Sequence, residues 1–407
     1  MTPAAPRGAD GAPLAKAPAK GGRSAGGNAA NDLPGESLEA ELIVDVGRLR
    51  EMGAQWRRLI EVAAESNPFF EPECLLPALE RLGGNGIGAV AITGRPRQHP
   101  EGDSVLVGLF PVQLTGNRTS LWLHRYTFLG TPHVRADSVG PAWRRFLDWA
   151  FAERRRGLLV LPKLSVAGPV FRSLLGELRH GERPHWVQDQ HLRATFEARG
   201  TADAFIEQAI SGKVRRNLRR SRRQLDALGE VRFDAERLSP TGVGAWVEEF
   251  LELEGRGWKG ARGSALACDT NSKIWFEETL AGLAASGRLV GGALRLNGKP
   301  IAMGCKFESA DAAGEAVYFK TAYDEAYSEY SVGTLLQWEW IDWLHGPSGL
   351  RHVDSCAIPG HPMIERIWDG QRMIQTLWVG SGTRASRIAL GTLPMARWLK
   401  SKRRRST

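Results

Sequence analysis

The chain has 407 residues, 42% of them hydrophobic and 14 of them tryptophan, enough for a sizeable core and two or three domains. Cys74, Cys268, Cys305 and Cys356 lie far apart without CxxC or histidine partners, which argues against a structural zinc site or a disulfide framework. No apolar run nears the ~20 residues of a membrane helix, and Met1 to Ala30 holds no signal-peptide core, so a soluble, cytoplasmic protein is expected. The net charge of +9 is local: Lys213 to Arg223 holds seven basic residues and no acidic one, and Arg397 to Arg405 holds six more, so the remainder is slightly acidic.

Residues 1–36 are rich in Ala, Gly, Pro and Ser and read as a disordered tail. Glu41 to Val44 reads as a strand and Val46 to Ala64 as a helix with Leu49, Met52, Trp56 and Leu59 or Ile60 on one face. Asn67-Pro68 breaks it before a helix at Pro72 to Leu82. Strands follow at Gly88 to Thr93, Ser104 to Val112 and Thr119 to Leu123, then a helix opened by Pro141, a strand at Gly157 to Leu161, a helix at Gly168 to Leu178 and a strand at Trp186 to Phe196.

The second half repeats that order. A helical stretch, Ala202 to Ala227, precedes a strand at Glu230 to Asp234. Ser239-Pro240 starts a helix running to Glu254, and Asn271 or Ser272 caps another that ends at Gly287. Arg288 to Leu296 and Ile301 to Phe307 flank Asn297-Gly298, the pair favoured in a two-residue hairpin turn, and Glu315 to Ala322 extends the meander. Tyr323 to Gly333 is a polar loop opening a helix at Thr334 to Leu344, followed by a strand at Leu350 to Asp354, a helix near Met363 to Trp368 and a strand at Met373 to Val379. A loop that opens a helix offers unpaired N–H groups and the positive end of the helix dipole, so the Ser331 to Leu335 turn suits a pyrophosphate. Arg215, Arg216, Arg219 and Arg220 lie at helical spacing without acidic partners in sequence, which favours an anion nearby.

Two α/β units of one element order resemble a duplicated GNAT acyltransferase fold. The tandem arrangement is similar to the Fem-type peptidyltransferases and to the GNAT-like acetyltransferases associated with cellulose and other exopolysaccharide synthesis. The resemblance rests on Lys213 to Arg223, on Leu253-Glu-Gly-Arg-Gly-Trp-Lys-Gly260, and on Tyr318-Phe-Lys-Thr-Ala-Tyr-Asp324 with Tyr330-Ser-Val-Gly333. The sequence departs from the family in lacking the full Arg/Gln-x-x-Gly-x-Gly/Ala loop, and Val332 stands where relatives tend to carry Pro. The resemblance implies an α/β protein of two tandem GNAT-like domains, each a mixed, mostly antiparallel sheet flanked by helices. Their spans are 37–199 and 200–385, with a basic tail at 386–407.

It also implies an acyltransferase that takes acetyl-CoA or another acyl-CoA, without a metal, and delivers the acyl group to an amine or hydroxyl, a small-molecule or glycan acceptor. Acyl transfer needs a group to take the acceptor's proton, donors for the developing oxyanion and an acid for the thiolate. Asp324 and Asp354 end two strands where such a sheet splays, so either is a candidate base, and Tyr327 or Tyr330 a candidate acid. Lys320 and Thr321 with Ser331, Gly333 and Thr334 are the expected donor-binding residues, and the four arginines with Trp258 and Lys259 the expected acceptor or anion contacts. His352 and His361 have no recognisable partner. Two other functions stay open: a Fem-type aminoacyltransferase whose basic helix touches tRNA, and a non-catalytic module of an envelope-biosynthesis complex. The Arg397 to Arg405 tail allows a place at the inner face of a membrane.

Overall fold

The computed structural model describes residues 38–95, 103–116, 118–153, 157–311, 314–347 and 350–403. The expected tail at 1–36 lies outside them. The first unit contains β1 (Glu39–Ile43), α1 (Val46–Glu51), α2 (Gly53–Glu61), α3 (Pro72–Arg81), β2 (Ile87–Gly94), β3 (Val105–Thr115), β4 (Arg118–Leu121) and a short β5 (His133–Val134). It continues with α4 (Val139–Asp148), β6 (Leu158–Ser165), α5 (Pro169–His180) and β7 (His185–Glu197). The linker helices are α6 (Ala202–Ala209) and α7 (Gly212–Asp226). The second unit contains β8 (Val231–Arg237), α8 (Val243–Arg256), α9 (Trp258–Ala261), α10 (Thr270–Ala285), β9 (Leu289–Leu296), β10 (Lys299–Glu308), β11 (Glu315–Tyr323), α11 (Val332–His345), β12 (His352–Asp354), β13 (Gly370–Gly380) and α12 (Arg384–Arg403).

Several boundaries differ from the sequence reading. The first expected helix is split at Met52. The stretch before β8 is broken at Ile210, which is extended, so that Ser211 caps α7 by accepting from the Val214 N–H. Ser239 accepts from the Gly242 N–H in a turn, and α8 starts only at Val243. Asp269 rather than Asn271 or Ser272 caps α10. Residues 362–367 form turns rather than a helix, and a helix, α12, runs through most of the stretch expected as a basic tail.

All strands but β5 join one path, β1-β2-β3-β4-β6-β13-β7-β12-β11-β10-β9-β8, with β5 paired to β3. The path mirrors itself about its centre. Each unit ends in a parallel pair, β4 with β6 and β11 with β12, and every other pairing is antiparallel. The last strand of each unit crosses to the other: β7 pairs with β12, and β13 pairs with β6. The two sheets are thereby fused, and neither unit has a free edge at the seam.

One core cluster spans both units, with Trp56, Phe69 and Phe70 of the first packed near Phe250, Trp275, Phe276 and Phe319 of the second. The other two clusters belong mainly to one unit each, around Phe110, Trp143 and Phe146, and around Phe196, Tyr318 and Trp340. Gly304 supplies necessary space, because a Cβ there would meet the Tyr318 hydroxyl.

Candidate active site

β11 and β12 share only three register positions, Glu315 with His352, Ala316 with Val353 and Val317 with Asp354. Beyond Val317, β11 continues to Tyr323 without that neighbour, so the sheet parts. Register against β10 also shifts there, leaving Phe319 as an extra residue between Tyr318 and Lys320. Such a bulge bends a strand and re-aims its side chains. Phe319 turns into the shared core against Phe307, and Tyr318 to the opposite side, where its hydroxyl accepts from Thr321 Oγ1 and Gln337 Nε2, both at 2.7 Å.

The loop after β11 is a 3-10 turn, Glu325–Tyr330, capped by Asp324, whose carboxylate accepts from the Ala326 N–H at 2.9 Å. Ser331 then adopts a left-handed conformation, φ 53° and ψ 42°, costly for a residue with a side chain. Its carbonyl accepts from the N–H groups of both Thr334 and Leu335. The N–H groups of Val332 and Gly333 have no backbone partner among the described residues, although both residues are buried. The sulfur of Met363 covers Gly333, filling the space a side chain there would need.

Lys320 and Thr321 do meet one of the other predicted residues, Lys259. Glu254, buried on α8, accepts through one oxygen from Lys320 Nζ at 2.9 Å and Lys259 Nζ at 3.2 Å, and through the other from the Leu266 N–H. Lys259 Nζ also donates to the Thr321 carbonyl at 2.9 Å. Burial, and then Lys320 beside it, lowers the Lys259 pKa. Trp258 opens α9 next to it. Lys320 also stands over the Tyr126 ring, which stacks on Trp275, so a loop of the first unit covers this part of the second.

The two candidate aspartates are not brought together. Asp354 is level with Val317 while Asp324 follows the far end of β11, which at strand spacing puts them roughly 20 Å apart. Asp324 and Tyr327 line a cavity of about 450 Å³ with Glu252, Arg256 and Lys299. Asp354 is buried at the seam: Arg193 Nη1 donates to both its oxygens, Arg372 Nη1 to one of them and the Cys356 N–H to the other. Arg215 is tied to Glu207, whereas Arg216, Arg219 and Arg220 are exposed on α7 without an acidic partner among the described residues. His361, for which the sequence offered no partner, sits beside Lys259 and Glu365. Burial lowers its pKa, and its Nδ1 is buried without a partner among the described residues. Its isolation in sequence from Lys259 left no local signal.

A family model described as "Acetyltransferase (GNAT) domain" matches residues 212–360. No curated protein matches the sequence. Among solved structures, a conserved protein of unknown function from Bacteroides thetaiotaomicron is 10% identical, with a TM-score of 0.52, covering 84% of this chain and 99% of the other. FemX is also 10% identical, with a TM-score of 0.52, covering 84% and 96%. A tandem GNAT protein from the clavulanic acid biosynthesis pathway is 15% identical at a TM-score of 0.42, covering 85% and 99%. Residues 212–360 therefore match the GNAT acetyltransferase domain model, within a two-unit fold that the protein shares with FemX.

Proposed function

We propose that the second unit moves an acyl group from acyl-CoA, acetyl-CoA in the simplest case, to an amine or hydroxyl of a small-molecule or glycan acceptor. The observation that carries this reading is the parting of β11 from β12 beside the start of α11, where the N–H groups of two buried residues, Val332 and Gly333, have no backbone partner among the described residues. These groups suit the donor's diphosphate, provided that the Met363 side chain swings aside. Bound acyl-CoA supplies the acyl group already activated as a thioester. Thr321 and the Lys320–Lys259 pair border the gap along the open part of β11, and Glu254 fixes both lysines.

Asp324, at the wall of the 450 Å³ cavity, takes the acceptor's proton, and Tyr327 in the same wall returns one to the departing thiolate. Asp354, its oxygens already engaged, holds the seam. The first unit covers the second through Tyr126, which lies under Lys320 and stacks on Trp275. A glycan precursor as acceptor follows from the family resemblance.

The test is a thermal shift with CoA and acetyl-CoA, then turnover in an acceptor screen. A donor at 100 times its Kd adds about 2.7 kcal/mol of stability. Asp324→Asn is expected to keep the shift and lose turnover by about 100-fold or more. Absence of any shift with either compound removes the assignment.

A further inference from the structure

We propose that the groove between α7 and α11, which adjoins the first turn of α11 at Leu335, is a seat for the phosphate head of an anionic membrane lipid. The groove has a volume of about 600 Å³. Its floor is apolar: Leu218 and Leu335 are buried beneath it, and Trp338 is half-buried along its side. Arg219 and Arg223 form its rim. Arg222, also in the wall, is already held by Glu339 at 2.7 Å, by Asp226 at 3.1 Å and by the Val231 carbonyl, so the acidic group in the wall is neutralised internally.

The surroundings favour a membrane surface over a soluble anion. Arg216, Arg219, Arg220 and Arg223 are all exposed along α7, and none has an acidic partner among the described residues. One small phosphate engages one or two such groups, whereas a sheet of lipid phosphates meets all four together. Leu228, half exposed, lies just past the end of α7. A single-stranded RNA meets the arginines equally well, but it needs a run of aromatic rings for successive bases to stack on, or free polar groups for base edges, and the groove lining holds one ring, Trp338. The floor offers leucines and tryptophan, and Glu339 is spent on Arg222. A phospholipid satisfies both features, with phosphate on the guanidinium rim and glycerol and upper acyl carbons on the apolar floor.

The experiment is co-sedimentation of the full chain with phosphatidylcholine vesicles, with and without about a third phosphatidylglycerol, at near-physiological salt. Binding to the phosphatidylglycerol vesicles alone is expected. At roughly fivefold per arginine lost, Arg219→Glu with Arg223→Glu is expected to weaken it about 25-fold or more. Arg57→Glu with Arg58→Glu makes the same charge change at exposed residues of α2 and is expected to leave binding largely intact. Trp338→Ala, checked for folding by circular dichroism, is expected to weaken binding at constant charge. Equal losses in both charge-reversed variants, full binding by Trp338→Ala, or displacement by millimolar inorganic phosphate would each overturn the proposal. So would tighter binding to oligouridylate than to the vesicles. Because none of these readouts involves CoA, the lipid site and the acyltransferase reading stand or fall separately.

Discussion

The sulfur of Met363 occupies the place where a side chain on Gly333 would begin. Gly333 therefore lets a turn from the loop before β13 close over the first turn of α11. Methionine is unbranched and flexible, so it fills the space without fixing it shut.

Replacing Met363 with Ala should open that space. The expected result is a larger thermal shift with CoA than the unmodified protein shows. Gly333→Val should instead overpack the contact, costing about 1–3 kcal/mol in urea unfolding, and abolish the CoA shift.

Asp354 and Arg193 are almost wholly excluded from solvent, with side-chain exposures of 1% and 3%. Asp354→Ala leaves a buried guanidinium without its carboxylate, and a loss of about 3–5 kcal/mol is expected in denaturant unfolding. A variant that keeps full stability but loses turnover would show that Asp354 serves the chemistry rather than the seam.

Lys306 is buried completely, with its Nζ over the Trp340 ring and no hydrogen-bond partner among the described residues. Burial drives its pKa well below the ordinary lysine value. Lys306→Met, similar in volume and without a polar end, is expected to raise stability by about 1–3 kcal/mol. Unchanged or lower stability by calorimetry would show that the amine has a hidden partner.

Acid sensitivity should come from groups of opposite sign. Burial lowers the pKa of His124 to about 3 and of His133 to about 4, from an ordinary 6.5. The unfolded chain takes up these protons below pH 6.5 while the folded chain does not, so stability is present above 6.5 and is lost as pH falls toward 4. Burial raises Glu65 to about 7 from 4.5, so its contribution is fully present below pH 4.5 and is lost as pH rises through 7. His133→Phe should flatten the acid loss, by roughly 3 kcal/mol between pH 6.5 and 4, and Glu65→Gln should steepen it. Urea midpoints across that range decide both.

The β9 to β10 hairpin and the helix after β11 were legible because their signals are local. Asn297 and Gly298 both have positive φ, as the turn needs, and the α11 stripe includes Leu335 and Ile341. The two candidate aspartates were placed at the ends of their strands, and they are there. Their separation was not legible, since it depends on β12 being three residues long and on which residue of β11 it meets. The helix breaks at Met52 and Ile210 were missed because apolar periodicity continues through both.

The sequence by itself determined the two α/β units, the hairpin, the strand-loop-helix passage and the unbalanced basic run of α7, because each is written in spacings of a few residues. Only the tertiary structure decided the exchange of β7 and β13, the closing of Arg193 and Arg372 on Asp354, the sharing of Glu254 by Lys259 and Lys320, and the seating of Met363 on Gly333. Most of these contacts join residues dozens to more than a hundred positions apart. Their partners are selected by strand register and by competition for a common core, which no local pattern encodes.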